Sequence, residues 1–140
     1  MIEIALVDSN DTEGKLLNFV LKDLKLVKMF QVIHFKTGNS ALEYLHRRER
    51  EHGLIIITEF MLAGMSGLDL IGRLREQMEW KNIPVVVHAL NQWPVKIEAA
   101  YNAGACIVLN KESELDETIE QFRGFLLHMH RHMTRAESRI

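Results

Sequence analysis

Leu54-Ile55-Ile56-Ile57 is an apolar run without polar alternation, and it stops at Thr58-Glu59. A strand with one wet face alternates apolar and polar residues, so an unbroken run marks a strand covered on both faces, as in a parallel sheet. Four further segments read as strands. Ile4-Ala5-Leu6-Val7 stops at Asp8, with Ser9-Asn10-Asp11 behind it, and Phe30-Gln31-Val32-Ile33-His34-Phe35 is rich in β-formers. Ile83-Pro84-Val85-Val86-Val87 carries its proline at the start, where a missing N–H is tolerated. Cys106-Ile107-Val108-Leu109 closes at Asn110-Lys111.

Helical stripes fill the intervals. Asp11 or Thr12 is placed to cap a helix bearing Leu16, Leu17, Val20, Leu21 and Leu24. Thr37-Gly38-Asn39-Ser40 turns into a second helix with Ala41, Leu42, Tyr44 and Leu45 inward and Arg47 to Glu51 as its charged end. The loop from Phe60 to Gly67 leads to Leu68, Leu70, Ile71 and Leu74. Asn91-Gln92-Trp93-Pro94 starts a fourth helix that ends at Ala103-Gly104-Ala105, and Leu115, Ile119, Phe122 and Leu126 mark a fifth. This order predicts an α/β fold, a doubly wound five-stranded parallel sheet with helices on both faces.

The 140 residues suit one such unit, with 47% hydrophobic and 26% charged residues. A formal net charge of −2 supplies no basic field for direct nucleic-acid binding. Cys106 is the single cysteine, which excludes an internal disulfide and a cysteine-rich zinc site. Met1-Ile2-Glu3-Ile4 lacks the basic stretch of a secretory signal, and the apolar runs are too short to cross a bilayer. The expectation is a soluble, cytoplasmic protein without membrane contact. From Arg131 to Ile140 the hydrophobic period lapses, which predicts a frayed end.

In an open parallel sheet, ligands bind outside the carboxyl ends of the strands. Those ends carry Asp8-Ser9, Glu59, His88-Ala89 and Asn110-Lys111. Two carboxylates and one ammonium at one rim suit phosphoryl or divalent-cation chemistry, and equally describe a solvated acidic patch balanced by a lysine.

The linked motifs resemble the receiver domain of two-component response regulators. Leu6-Val7-Asp8-Ser9-Asn10 stands where receivers carry an acidic pair. Thr37-Gly38-Asn39-Ser40-Ala41-Leu42 resembles the start of their second helix, and Glu59 to Gly67 has the length and Met-x-Gly ending of their phosphoacceptor loop. Ile83 to Val87 and Ala103 to Lys111 match the fourth and fifth strand segments. The resemblance implies a flavodoxin-like receiver fold over residues 1–127, with 128–140 as a C-terminal helix extension and frayed tail. It implies a signalling module of a phosphorelay rather than an enzyme, with a histidine kinase, phosphotransfer or effector protein as partner.

The chemistry departs from that pattern. Glu59 stands at the phosphoacceptor aspartate, Ser9 replaces the second acid of the pair, and Ala89 replaces the Ser or Thr at the end of the fourth strand. Val108 replaces the aromatic of the fifth strand, Glu112 the proline after the lysine, and Ala63 the proline of the acceptor loop. Asp8, Lys111 and the Met61 carbonyl remain. Glu59 adds a methylene that carries its carboxylate outward, where its charge imitates part of a phosphoryl group and pairs with Lys111. No cofactor is required on this reading, and Mg²⁺, offered Asp8, Glu59 and the Met61 carbonyl, is held weakly. The resulting expectation is a stand-alone pseudo-receiver acting by phosphorylation-independent contact. Two alternatives are a Mg²⁺-dependent receiver with an atypical acceptor and a receiver fragment separated from an effector domain.

Elsewhere, His128 and His132 stand one helical turn apart, with His130 between them, and read either as two ligands of a metal or as a solvated helix end. His88 reads as a structural strand residue. Phe125, Leu127, Met129 and Met133 beside the core stripe, with Trp93 and Tyr101 near the fourth helix, offer either a face for homodimerisation and partner docking or a wide buried stripe.

Overall fold

The computed structural model describes residues 1–49, 53–89, 94–110 and 114–138. Glu51, Asn91, Gln92, Trp93, Lys111, Glu112 and the last two residues therefore lie outside the described residues. The elements follow in the order β1 (Ile2–Val7), α1 (Asp11–Asp23), β2 (Phe30–Phe35), α2 (Gly38–Arg47), β3 (Gly53–Glu59), α3 (Gly67–Glu76), β4 (Val85–Ala89), α4 (Pro94–Ala103), β5 (Ile107–Asn110) and α5 (Leu115–Ser138). All pairings are parallel and the sheet order is β2-β1-β3-β4-β5. The order reverses between β1 and β3, so the crevice beyond their carboxyl ends is the switch point of the fold.

Each strand divides its side chains between two cores. Ile2, Ile4 and Leu6, with Ile55, Ile57 and Val86, pack against Leu17, Val20 and Leu21 of α1 and Phe122, Phe125 and Leu126 of α5. Ala5, Val7, Ile56, Val85, Val87 and Ala89 pack on the other face against α2, α3 and Ala100 of α4. Phe125 is thus part of the core, because the α5 stripe is wide enough to fill the gap between the sheet and α1. Of the apolar face expected there, Phe125 is not available for docking.

Several boundaries differ from expectation for identifiable reasons. The cap of α1 is Asn10, not Asp11 or Thr12, because the Asn10 side chain reaches back to accept from the Thr12 N–H at 2.9 Å. β4 begins at Val85, yet Pro84 still joins the sheet through its carbonyl, which accepts from the Ile56 N–H at 2.9 Å. β5 begins at Ile107, one residue late, and the Cys106 N–H bonds the Val85 carbonyl at 2.8 Å. α5 stays helical to Ser138 instead of fraying at Arg131. Met133, Arg135, Ala136 and Glu137 are good helix formers, so propensity continues where the apolar period stops. No helix among the described residues is long and apolar enough to cross a membrane.

Two glycines set the approach of loops to the site. A Cβ at Gly67, the first residue of α3 rather than a loop residue, would stand 2.5 Å from the Glu59 carbonyl oxygen. A Cβ at Gly38 would stand 2.8 Å from Met65 Sδ. The Met-x-Gly ending therefore seats its methionine on the start of α2 and its glycine on the end of β3.

Polar groups fix the layers at the other end of the sheet. The Arg75 guanidinium donates to the carbonyls of Lys81 (2.8 Å), Ile83 (2.9 Å) and Gly104 (2.8 Å), joining the turn before β4 to the turn before β5. Glu3 Oε1 on β1 accepts from Tyr44 Oη at 2.6 Å and Arg48 Nε at 3.2 Å, with the Glu3 and Arg48 side chains each 9% exposed. Burial, then the Glu3 carboxylate, hold the Tyr44 phenol above its ordinary pKa. Removing one partner of a buried pair strands the other charge. Arg48→Ala is therefore expected to lower unfolding free energy by about 3 kcal/mol in urea titrations, while Glu3→Gln with Arg48→Met costs much less.

Helix α1 ends on a left-handed residue that is not glycine. Lys25 has φ +59°, with its N–H on the Lys22 carbonyl and the Leu26 N–H on the Leu21 carbonyl, the paired bonds that close a helix over a left-handed residue. A side chain costs about 1 kcal/mol in that region. Lys25→Gly is expected to raise the urea midpoint, with a gain of up to about 1 kcal/mol.

Candidate functional site

Asp8 leaves β1 fully buried, and its two neighbours fold around it. Its Oδ1 accepts from the Asn10 N–H at 2.8 Å, and its carbonyl accepts from His34 Nε2 at 2.7 Å. A carbonyl only accepts, so His34 carries its proton on Nε2. These bonds hold the carboxylate of Asp8 below the strand ends while Asn10 turns outward to cap α1.

Glu59 closes β3 beside it. Its carboxylate meets a partner that the sequence reading did not name, Ser9. The residue is 6% exposed, and its Oε1 accepts both the Ser9 N–H at 2.9 Å and the Ser9 hydroxyl at 2.7 Å. The longer side chain spans the distance to the β1 loop, and a hydroxyl replaces the acid that would have repelled it. Two donors on one carboxylate oxygen form a charge-assisted clamp. Ser9 and Glu59 therefore act as a matched pair, a relation hidden when each is read as a separate loss.

Other expected residues fall around this clamp. Met61 lies just beyond β3 and is 58% exposed. Ala89 is buried at the end of β4, opposite Asn110 of β5, and Val87 lies opposite Val108. Val108 shares the α4 side of the sheet with Ala89. The aromatic group at this edge comes from α4: the Val108 N–H donates to Tyr101 Oη at 3.1 Å. Lys96 of α4 places its ammonium 5.4 Å from the centroid of the Phe60 ring, next to Glu59. Lys111 is outside the described residues.

The site holds more than the rim residues. Asp8, Glu13 and His88 are all buried, and one potential ligand atom of each lies within 4.8 Å of the others. Glu13 in the first turn of α1 reads in sequence as an ordinary partner of the helix dipole, and gives no signal that it faces the sheet. His88 is structural in one respect, with its ring 5.6 Å from that of Phe122. At the far end of α5 the rings of His128 and His132 meet edge to face, with centroids 4.3 Å apart, and the two belong to no group of three metal-ligating side chains among the described residues.

The family model for the response regulator receiver domain matches residues 4–123. The two-component response regulator ARR17 of Arabidopsis thaliana is 26% identical over 135 residues, covering 90% of this chain and 85% of that protein. The two-component response regulator ORR3 of Oryza sativa subsp. japonica is 30% identical over 99 residues, 71% of each chain. Among solved structures, a response regulator receiver domain from Rhodospirillum rubrum superposes with a TM-score of 0.80 at 19% identity, over 91% of this chain and 92% of that one. At that identity the superposition speaks to the fold. Receiver domains are signalling modules that interact with histidine kinases, phosphotransfer proteins or effectors. With the family model covering most of its length and all five strands in the expected order, the chain belongs to the receiver-domain family of two-component response regulators.

Proposed function

We propose that this receiver domain signals by protein–protein contact without being phosphorylated, with Glu59 holding the phosphoacceptor position in one fixed charged arrangement. The observation that carries this reading is the double donation from Ser9 to Glu59 Oε1. An attacking carboxylate must present a lone pair in line with phosphorus, beside a metal that neutralises the phosphoryl oxygens. Here one oxygen of the carboxylate is held by two donors, and the second acid that would help capture Mg²⁺ is the donor itself. Mg²⁺ would be left with Asp8, the remaining capacity of Glu59 and the Met61 carbonyl, a set poor in charge for an ion that demands near-ideal octahedral oxygens. The residues present do not fit a resident Mg²⁺, and no step is assigned to it.

The absence of a hydroxyl at Ala89 supports the same reading. A phosphoryl group recruits a side chain to change state, and a methyl group makes no differential contact with it. Val108 presents no ring to turn inward, and its N–H is already taken by Tyr101 on the neighbouring helix. The α4–β5–α5 face is thus the proposed contact surface for a kinase, phosphotransfer or effector protein, and for a second copy of the chain. Among the described residues, Tyr101 and Leu115 are its exposed large apolar side chains.

Incubation with Mg²⁺ and acetyl phosphate, followed by intact-mass analysis, tests the reading. The expected spectrum lacks the addition of about 80 Da that marks a phosphoryl group. A stable adduct on Glu59 would overturn the proposal in favour of a receiver with an atypical acceptor.

The Ser9–Glu59 clamp has its own consequence for stability. Ser9→Ala is expected to cost about 2 kcal/mol in chemical denaturation, the size of one lost hydrogen bond to a charged group. Ser9→Asp brings two carboxylates together and is expected to lower the midpoint further, with Mg²⁺ restoring it. The unsubstituted protein, by contrast, is expected to show little Mg²⁺-dependent shift.

A further inference from the structure

The face of the sheet toward α1 and α5 carries a trio whose chemistry is not that of a phosphoacceptor. Asp8 comes from the end of β1, Glu13 from the first turn of α1, and His88 from β4, where it shares the α1 side with Val86. All three side chains are buried, and one ligand atom of each lies within 4.8 Å of the others.

The tautomer of His88 sharpens the picture. Its Nε2 stands 3.2 Å from the Asn110 carbonyl oxygen, which only accepts, so the Nε2 proton points there. In the neutral ring the Nδ1 lone pair then faces Glu13 Oε2 at 3.8 Å. That separation is long for a hydrogen bond and close to the spacing of two ligands on one ion, about 3.4 Å for bonds of about 2.1 Å at tetrahedral angles. A backbone carbonyl that accepts the outer N–H is also what orients a metal-binding imidazole.

We infer that Asp8, Glu13 and His88 form a binding site for a divalent first-row transition-metal ion of the zinc class. The site lies on the α1 side of the sheet and differs from the Asp8, Glu59 and Met61 set in two of its three residues. An imidazole in the donor set favours zinc, cobalt, nickel or iron over magnesium, which keeps to oxygen ligands. Three protein ligands leave one position of a tetrahedral ion for water or an incoming anion. Because Asp8 also borders Glu59, an ion here places positive charge immediately beneath the strand ends. Its occupancy would couple metal supply to the state of the signalling face.

The test uses the full chain with His128, His130 and His132 each replaced by Asn, which removes the paired histidines of α5 as competing ligands. This parent is titrated with Co²⁺, followed by visible d–d absorption, and the bound ion is then displaced with Zn²⁺. The expected result is one equivalent of Co²⁺ with an intense low-symmetry band that Zn²⁺ abolishes. In the same parent, Glu13→Gln is expected to weaken binding by at least about tenfold and His88→Gln to remove the band. Circular dichroism checks folding, and if His88→Gln does not fold, Glu13→Gln carries the test. No saturable Co²⁺ uptake by the parent would overturn the proposal, leaving a proton between His88 and Glu13. Uptake unchanged by Glu13→Gln would also overturn it.

Discussion

Every position of β1 from Ile2 to Val7 is buried, because β2 and β3 flank it and helices cover both faces. The remaining elements are placed relative to that strand. Its even-numbered residues face α1 and α5, and Ala5 and Val7 face the opposite core. A central strand that is dry on both faces must hand its chain to water at one end, and the handover occurs at Asp8. The Phe35 carbonyl accepts the Asp8 N–H at 2.9 Å, and the His34 ring donates to the Asp8 carbonyl, so both backbone groups are satisfied there by β2. The carboxylate is left to the crevice between β1 and β3.

In the crevice a hydroxyl at position 9 meets the carboxylate of Glu59. Two acids at positions 9 and 59 would repel at the distance seen between Ser9 and Glu59, and a bound cation would have to compensate. Replacing one acid by a hydroxyl turns repulsion into donation, and lengthening the other by a methylene lets it reach the donor. The result is a buried carboxylate satisfied by its own chain. Taken singly, each residue departs from the pattern the sequence resembles; together they form one hydrogen-bonded local structure.

The fold was largely legible because its signals are local and periodic. Unbroken runs such as Leu54 to Ile57 could only be doubly covered strands, and the interleaved stripes placed a helix between each pair. The boundaries that moved depend on where a side chain reaches. Asn10 outcompetes Asp11 as the cap because Asp8 has already turned the backbone around it. At the site, Asp8, Ser9, Glu59 and Ala89 could be located from strand ends. That Glu59 turns toward Ser9 could not, since direction depends on which donor lies fifty residues away. Glu13 was silent for a similar reason. An acid in the first turn of a helix is expected on electrostatic grounds alone, and only the packing of α1 on the sheet turns it toward His88.

These two arrangements divide Asp8 between them. On the rim side its neighbour Ser9 is committed to Glu59, and on the α1 side its carboxylate joins Glu13 and His88. A receiver that relies on a phosphoryl group needs Asp8 directed to the rim, where charge arrives and leaves on the timescale of the signal. Ser9 and Glu59, on the proposed reading, hold the rim in one arrangement, and an ion on the α1 side brings variable charge to Asp8. On the proposed reading, an ion there acts next to β4 and α1, and His88 reaches β5 through the Asn110 carbonyl. That carbonyl lies at the end of the strand whose Val108 N–H bonds Tyr101 on α4. On that reading the buried trio meets β5 at Asn110, two residues along the strand from the Val108 N–H that bonds Tyr101 on the α4–β5–α5 face.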